Sequence, residues 1–564
     1  MSETLHQQIA RRKAGLWTER SGIFAHWQEL SEQFQPRRGR FLGGKQRNNP
    51  KRNDKILNGS PLSDVRIFGA GLMSNLANPG SPWFRTTTPD PDLAKFHSVR
   101  GWLFFVEERL RWLFELARIY SNIHSSFIDD GIFGTSAIHI DREDPKTFMR
   151  GYNLPIGQYA LAADFRQQVD TCYREISMTV GQLVRQFGRD ACSQRVREMY
   201  DRRQLDEWVD VIHAVEPNPD HEPGMIGPSG KAWRSIWIEA GGDDRTGVLR
   251  EAGFDVFPVV ASRWETNGED VYGSNSPGME ARGDAKGLQY VEGKKSLALD
   301  LILEPPLVVP AAMRGKAVGL LPGDVTTIES VAPGQEIKPA VAVPYQTLEA
   351  ARLEAAERAA AVRRAFMVEM WLSLHLDDGV QKTAREVAAR HEERLVQTAP
   401  AILRMMDEKL RPVIEQGFAT LLENGLLPPP PEELQGQELR VEFTSPLAQA
   451  LKLVGVAGIE RFGQFAIGAS QLRPDVLDKV NFDAMADTMA DALGVPPTIV
   501  NPEDVVAQIR QARAAQEQAQ QQGEAMLQAA QGAKSLAGAQ LGNDSVLDRL
   551  LAANGAAPPA AGVA

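Results

Sequence analysis

The stretch Gly224 to Ala232, GMIGPSGKA, holds the glycines and the lysine with which a phosphate-binding loop cradles a nucleotide. It departs from that pattern twice. The spacing from Gly224 to Gly230 is one residue too long, and Ala232 stands where a magnesium-binding Ser or Thr is required. Just upstream, His213 and His221 with Glu216, Asp220 and Glu222 have metal-capable side chains. Pro217, Pro219 and Pro223 make that segment a loop, and it lacks the ligand spacing of a metal site. Three acidic pairs, Asp129-Asp130, Asp243-Asp244 and Asp377-Asp378, would hold magnesium for a nuclease if they converged. Nothing in their spacing brings them together, and each reads as a surface loop. Cys172 and Cys192 are too few in 564 residues for a disulfide framework and read as buried free thiols. Arg282-Gly283-Asp284 falls inside an expected helix. The sequence therefore calls for no catalytic residue, no cofactor and no metal; the enzymatic alternative is a metal-dependent nuclease built on the acidic pairs.

A hydrophobic share of 43% and a charged share of 24% are ordinary for a soluble protein with several domains. No apolar run reaches the length of a membrane span, and the first residues, MSETLHQQIARRKAGLW, lack a signal-peptide core. The expectation is a protein without a membrane that stays in the cytosol or leaves by lysis. A net charge of −11 argues against a protein whose task is to grip nucleic acid, since phosphate neutralisation supplies most non-specific affinity. It suits a surface that DNA passes without sticking. Residues 36 to 55 reverse the balance with Arg37, Arg38, Arg40, Lys45, Arg47, Lys51, Arg52 and Lys55 against Asp54. That segment reads either as a contact for DNA or an acidic partner or as a solvated basic loop.

The elements that must carry any function centre on an excursion in the middle of the chain. Ser276 can cap and Pro277 can open a helix that Gly283, Gly287 and Gly293 weaken by roughly 1 kcal/mol each, so it should rely on neighbours. Between 305 and 346 stand Pro305, Pro306, Pro310, Pro322, Pro333, Pro339 and Pro344, which forbid a helix and force the chain to project. Within it PPLVV and LLPGDVTTI read as two short strands, with Pro322-Gly323 as a turn. A second helix, Leu348 to Trp371, spaces Leu348, Ala355, Ala359, Val362, Phe366 and Met370 along one face, about 36 Å of helix, with Glu354 and Arg358 in the favourable order.

Before the excursion, residues 2 to 34 read as a helix, Val99 to Ile128 as one buried organising helix, and 133 to 264 as mixed strands and helices with antiparallel connections. After it, Thr383 with Glu386 is a capping box opening a helix that Pro400 and Pro412 bend before Asn424-Gly425 ends it. ELRVEFTSP is a strand and a helix start. Helices follow to Leu493-Gly494, Asn501 caps another, and the Gln- and Ala-rich run Ala507 to Gln531 can be helical but offers little core, so its order should depend on neighbouring copies. The tail from Ala552 reads as mobile.

Several phrases in order resemble the podovirus head-to-tail connectors, the phage portal proteins. They are GLMSNLANPGSPWF, FPVVASRWETNGEDVYGSNSPGMEA, TAREVAARHEERL with APAILRMMDEKLRPVIEQGFATLLENGLLPPPPEEL, and ELRVEFTSPLAQALKL. The resemblance runs over about 60 to 500. It implies an α+β, predominantly helical subunit of a dodecameric ring at one capsid vertex, with no enzyme activity. It divides the chain into a wing (1–270 with 384–444), a first stem helix (271–304), a clip (305–346), a second stem helix (347–375), a tunnel loop (376–383) and a crown (445–564). The implied partners are further copies, the terminase, tail adaptors, capsid and scaffolding proteins, and double-stranded DNA in passage. The implied location is the virion, and host cytoplasm during assembly. On this reading Lys294 and Lys295, Asp377, Asp378 and Gly379 face the channel, the two lysines either meeting phosphate or pairing with acidic residues between subunits. Leu307, Val308, Arg314, Lys316, Pro322 and Gly323 belong to the docking surface of the clip. The loop His375 to Lys382 either lines the narrowest part of the channel or is an ordinary surface turn.

Overall fold

The computed structural model describes residues 3–41, 53–90, 96–142, 146–241, 248–308, 338–339, 343–373, 398–434, 440–445, 462–470, 480–493 and 503–537, with single positions 93, 144, 447, 473 and 475. Helix α1, Leu5–Phe34, opens on a capping box in which Thr4 and Gln7 satisfy each other's backbone. Helix α2, Ser60–Leu76, leads through the Asn78 turn to strand β1, Phe84–Thr87. The apolar stretch expected as one helix is two: α3, His97–Leu116, and α4, Ile119–Phe133. Arg118 between them takes a left-handed φ of 57°, which turns the chain while both halves keep their apolar faces inward. Leu110, Leu113 and Phe114 before the break and Ile119, Ile123 and Phe127 after it are all buried, so the periodicity runs through the corner and hides it.

Every strand pair among the described residues is antiparallel. Strands β2 (Thr135–Asp141) and β3 (Arg150–Asn153) join a later strand, β9 (Val259–Arg263), in a three-stranded sheet ordered β3-β2-β9. A five-stranded meander runs β4 (Tyr159–Ala163), β5 (Val169–Thr179), β6 (Trp208–Pro217), β7 (Trp233–Glu239) and β8 (Val248–Phe254). Alternation along β6 decides what covers it. Ile212 and Ala214 pack with Ile9 and Leu16 of α1, whereas Val209 and Val211 pack with Val180, Leu183 and Val196 of α5 (Val180–Phe187) and α6 (Gln194–Asp201).

His213, on the same side as Val211, meets His139 of β2 edge-on at 5.6 Å between ring centres and stacks on Trp237 at 3.9 Å. Its Nδ1 accepts from Arg174 Nε at 2.9 Å, which leaves Nε2 to carry the proton and donate to Ser235 Oγ, also at 2.9 Å. Both imidazoles are buried, and burial, then the Arg174 charge, holds their pKa values well below the ordinary histidine range.

The main core lies where α2 crosses α4 and receives the chain returning from the excursion. Phe68 sits at its centre, 5.6 Å from Trp264, 5.7 Å from Phe366 and 6.1 Å from Trp371. The excursion leaves on α7, Pro277–Leu303, and returns on α8, Tyr345–Ala365, and α9, Val368–Ser373. The single helix expected to Trp371 is thus broken: Met367 has φ 52°, and the break swings Trp371 onto α2, where its ring occupies the space a side chain at Gly71 would need. Its indole N–H donates to the Phe366 carbonyl at 3.1 Å. Helix α10, residues 398–405, leads into a π-helical turn, Met406–Leu410, followed by α11, Arg411–Glu423, which ends at Asn424 and a left-handed Gly425. Pro412 lacks an N–H, and the irregularity there is an inserted π turn. Strand β12, Arg440–Phe443, pairs with β1, bringing Phe443 against Trp83 at 6.5 Å, and helix α12 spans residues 462–470.

Residues 481–564 form a unit of their own. In it α13 is Phe482–Leu493 and α14 is Glu503–Ala537, tied by Arg510 to Asp483 at 2.7 Å. Every residue of α14 from 507 to 528 is exposed, Met526 and Leu527 included.

The two buried histidines make stability depend on pH. Their folded-state values are depressed, so their contribution is complete above the unfolded value near 6.5 and is lost as pH falls below it, by up to about 1.4 kcal/mol per unit for each ring. Chemical denaturation between pH 7.5 and 5 should show that fall, and His139→Asn with His213→Gln should flatten it. An unchanged slope in the double variant would remove the histidines as its source.

Candidate functional site

Helices α7 and α8 form an antiparallel hairpin whose base is fixed and whose far half is bare. At the base, Ser276 Oγ accepts from Met279 N at 3.2 Å and donates to the Ile132 carbonyl at 3.0 Å, while Pro277 occupies the first turn. Arg282 reaches Glu29 at 3.2 Å and His26 Nδ1 at 2.9 Å, and Lys286 lies 3.7 Å from Glu29. Across the hairpin, Arg358 of α8 binds Glu354 at 2.7 Å and approaches Asp284 at 3.7 Å. Its guanidinium lies over Gly287 so closely that a Cβ there would sit 2.3 Å from Nη1. The glycine that weakens α7 as an isolated helix is what lets α8 pack on it.

Beyond the buried Leu288 several apolar residues of α7 turn outward. Tyr290 and Leu297 share one side and are exposed; Leu299 and Leu303 are exposed on the other, Leu299 being nine residues, about two and a half turns, from Tyr290. Two unlike apolar stripes therefore flank the line of contact with α8.

The sequence pairs Lys294 with Lys295, and the structure separates them. Lys295 forms an ion pair with Glu292 of its own helix, so its partner lies within the chain. Glu292 also accepts from Asn58 Nδ2 at 3.1 Å. Lys294 is exposed, its ammonium 5.5 Å from the centre of the Tyr290 ring, and it has no carboxylate partner among the described residues. At the end of the hairpin, Leu307-Val308 (β10) pairs antiparallel with Lys338-Pro339 (β11). The strand expected at LLPGDVTTI, and Arg314, Lys316, Pro322 and Gly323, lie outside the described residues. So do Asp243-Asp244, the loop His375 to Lys382 with Asp377, Asp378 and Gly379, and the Thr383 capping box.

The other chemistry-bearing residues resolve into structure. Asp129 and Asp130 are not on a surface loop but buried in the last turns of α4. Asp129 accepts from Arg38 Nε at 2.9 Å and from Asn153 Nδ2 at 3.3 Å. Asp130 is bonded to Lys409 Nζ and accepts from Ser262 Oγ at 2.9 Å. Neither Asp130 nor Lys409 has any exposed side-chain surface. Burial pushes the Asp130 carboxyl up and the Lys409 ammonium down, each against the pull of its partner. The π turn presents Glu408 beside Lys409, and Glu408 binds Arg263 at 2.7 Å and Arg404 at 3.3 Å. Part of the basic segment is consumed in the same way: Arg38 holds Asp129, Arg40 donates to Glu175 O at 2.9 Å and Ser177 Oγ at 3.0 Å, and Lys55 binds Glu32 at 2.7 Å. Arg37 is exposed. Sequence reasoning missed this network because its members are far apart in the chain; the one local sign was two acids inside the apolar pattern of α4.

His213 stands in the sheet and His221 in an exposed loop, and no group of three metal-capable side chains gathers among the described residues. Gly224 to Ala232 lies in the β6–β7 connection, with one 3-10 turn at Pro228–Gly230. Cys172 and Cys192 are free and buried, and burial pushes their thiols up to about 12 and about 11, which leaves no thiolate for nucleophilic work near neutral pH.

The chain matches the family described as Bacteriophage head to tail connecting protein over residues 6–500. It is 36% identical over 556 residues to the portal protein of Salmonella phage epsilon15, covering 99% of this chain and 100% of that one. It is 38% identical over 536 residues to the probable portal protein of Bordetella phage BPP-1, covering 95% and 96%. Among solved structures, a chain from the neck of an empty gene transfer agent particle aligns with TM-score 0.35 at 11% identity, covering 75% of this chain and 92% of that one. A chain from the virion of a native gene transfer agent particle aligns with TM-score 0.31 at 13% identity, covering 76% and 92%.

Lys409→Met, which leaves a buried carboxylate unpaired, should cost about 3–5 kcal/mol in urea unfolding. Adding Asp130→Asn should recover most of that loss. Additive losses in the double variant would mean that the two side chains do not act as a pair.

Proposed function

This chain belongs to the family of bacteriophage head to tail connecting proteins and serves as a phage portal; from that premise we propose that twelve copies close into a ring around a DNA channel at one capsid vertex. The observation that carries the ring is the pair of unlike apolar stripes on opposite sides of α7. A single patch would satisfy a two-fold dimer, whereas two different patches on opposite sides make a head-to-tail contact that repeats until it closes. Neither stripe is covered among the described residues.

The wing is 1–270 with 384–444, the stem is α7 and α8, the clip is 305–346, and the crown is 445–564. The ring resides in the virion after assembly in host cytoplasm, in contact with capsid and scaffolding proteins. During packaging the terminase docks on the clip, and tail adaptors replace it afterwards. The β10–β11 ribbon supports that role, because a two-stranded ribbon offers open edges to which a partner strand can add. In the channel the net negative charge keeps DNA mobile. Lys294 makes the transient phosphate contact, Lys295 being already held by Glu292. The tunnel loop, 376–383, lines the narrowest point, its Asp377 and Asp378 repelling both DNA and their symmetry mates. Exposed α14 gains its neighbours from adjacent crowns.

Of the acidic pairs behind the nuclease reading, the first is already ion-paired, Asp129 with Arg38 and Asp130 with Lys409.

Mass photometry of the purified chain should give rings near twelve subunits, and incubation with DNA and magnesium should leave the DNA intact. A monomer that cuts DNA would reverse the reading. Lys294→Gln should alter DNA packaging or retention in a salt-dependent way while Lys295→Gln acts mainly on stem stability; identical packaging by Lys294→Gln across salt would remove the phosphate contact.

A further inference from the structure

The loop end of the five-stranded sheet carries apolar side chains with no cover. The β4–β5 turn, the β6–β7 connection and the residues after β8 all lie at this end, as the strand register requires. Ile226 is 100% exposed, Phe165 89% and Met225 55%. The connection that presents Met225 and Ile226 is stiff. Asn218 Nδ2 donates to the carbonyls of Pro228 at 3.1 Å and Lys231 at 2.9 Å, and Glu222 N donates to Ser229 O at 2.9 Å. Gly227 has φ 111°, and a Cβ on Gly230 would lie 1.8 Å from the Met225 carbonyl, so the backbone can close only with glycine at both. A loop fixed in this way holds an isoleucine and a methionine in water at a cost that burial against a partner would return.

At the opposite end of the same sheet, about 20 Å away along the strands, is a hollow of about 290 Å³ between α1 and the start of β4. Its walls are Trp17, Phe24 and Phe41, and Arg20, Arg40 and Glu175 also line it. Arg20 lies 4.4 Å from the Trp17 ring centre and 5.1 Å from that of Phe24; it is buried, its Nη1 donates to the carbonyls of Gly157 at 3.1 Å and of Tyr159, and its Nε has no hydrogen-bond partner. The protruding loop has the opposite charge, with Asp220 and Glu222 exposed beside Met225 and Ile226.

We propose that residues 218–232 of one copy dock into the hollow of the next, Met225 and Ile226 entering between the aromatic walls while Asp220 and Glu222 face the positive charge of Arg20 and Arg40, both of which keep the hydrogen bonds they make within their own chain. The contact rests on the ring reading above and supplies it with a wing interface distinct from the stem. Knob and hollow are unlike surfaces at opposite ends of one sheet, the arrangement that a head-to-tail contact between copies needs.

The test uses the full chain with its buried native cysteines retained. Ile226→Cys combined with Ser21→Cys, at the rim of the hollow, should give under mild oxidation a ladder of covalent multimers on a non-reducing gel, and neither single variant should. In a second arm, Met225→Asp with Ile226→Asp should raise the concentration at which rings form at least tenfold while leaving the melting temperature of the monomer unchanged, since both residues are exposed there. Rings that form as in the unaltered chain yet give no ladder, or a double-Asp variant that assembles normally, overturn this contact and leave the ring standing. An unaltered chain that remains monomeric overturns the ring, and the contact with it.

Discussion

Asp130 and Lys409 face each other with no side-chain surface exposed, and the centre of the molecule is arranged to make that tolerable. Two charges stripped of solvent lose more than their attraction returns unless further hydrogen bonds complete them. Ser262 of β9 completes Asp130, and Glu408, the neighbour of Lys409, is spent on Arg263, the neighbour of Ser262. Consecutive residues on a π turn are thereby keyed to consecutive residues on a strand, with the end of α4 beneath both. The arrangement fixes the register of α11 against the three-stranded sheet more narrowly than apolar packing would, since a slip by one residue strands a charge on each side. A buried pair of this kind is weak as a source of stability and strong as a source of uniqueness, which is what a long helix entering from a distant part of the chain requires.

The elements legible in the sequence are those whose signals are local. Ser276 with Pro277, and Asn424-Gly425, mark helix ends by chemistry within a few residues, and the structure ends those helices as read. The antiparallel α+β character followed from period-two runs without crossover helices. What stayed hidden was settled at a distance. Nothing near Arg118 or Met367 announces a left-handed residue, because each break lies inside an apolar pattern that continues on both sides. Asp129 and Asp130 read as polar surface because their cations are in another part of the sequence, and Lys295 could not be told from Lys294 without the helical position of Glu292. The hairpin itself was legible from prolines and heptad-like spacing, but the two opposed stripes on α7 needed the position of α8 to be seen as two.

Exposed apolar surface is unevenly distributed along the chain. The elements around Phe68 enclose a large core, while the far half of α7, the helix 462–470 with Phe462 and Phe465 outward, and α14 have almost none of their own. In the proposed ring, segments of this kind gain stability by mass action with concentration.

The left-handed residue at Met367 also bears on mechanics. A continuous helix passes a push along its axis to whatever follows it. Here the axis of α8 ends at Phe366, and the next turn is pinned sideways, Trp371 resting on the bare backbone of Gly71 and bonded back to Phe366. Thrust travelling down α8 is therefore delivered as shear into the packed core around Phe68 and does not pass along α9 as compression. The joint works as a footing on which α8 can bear load.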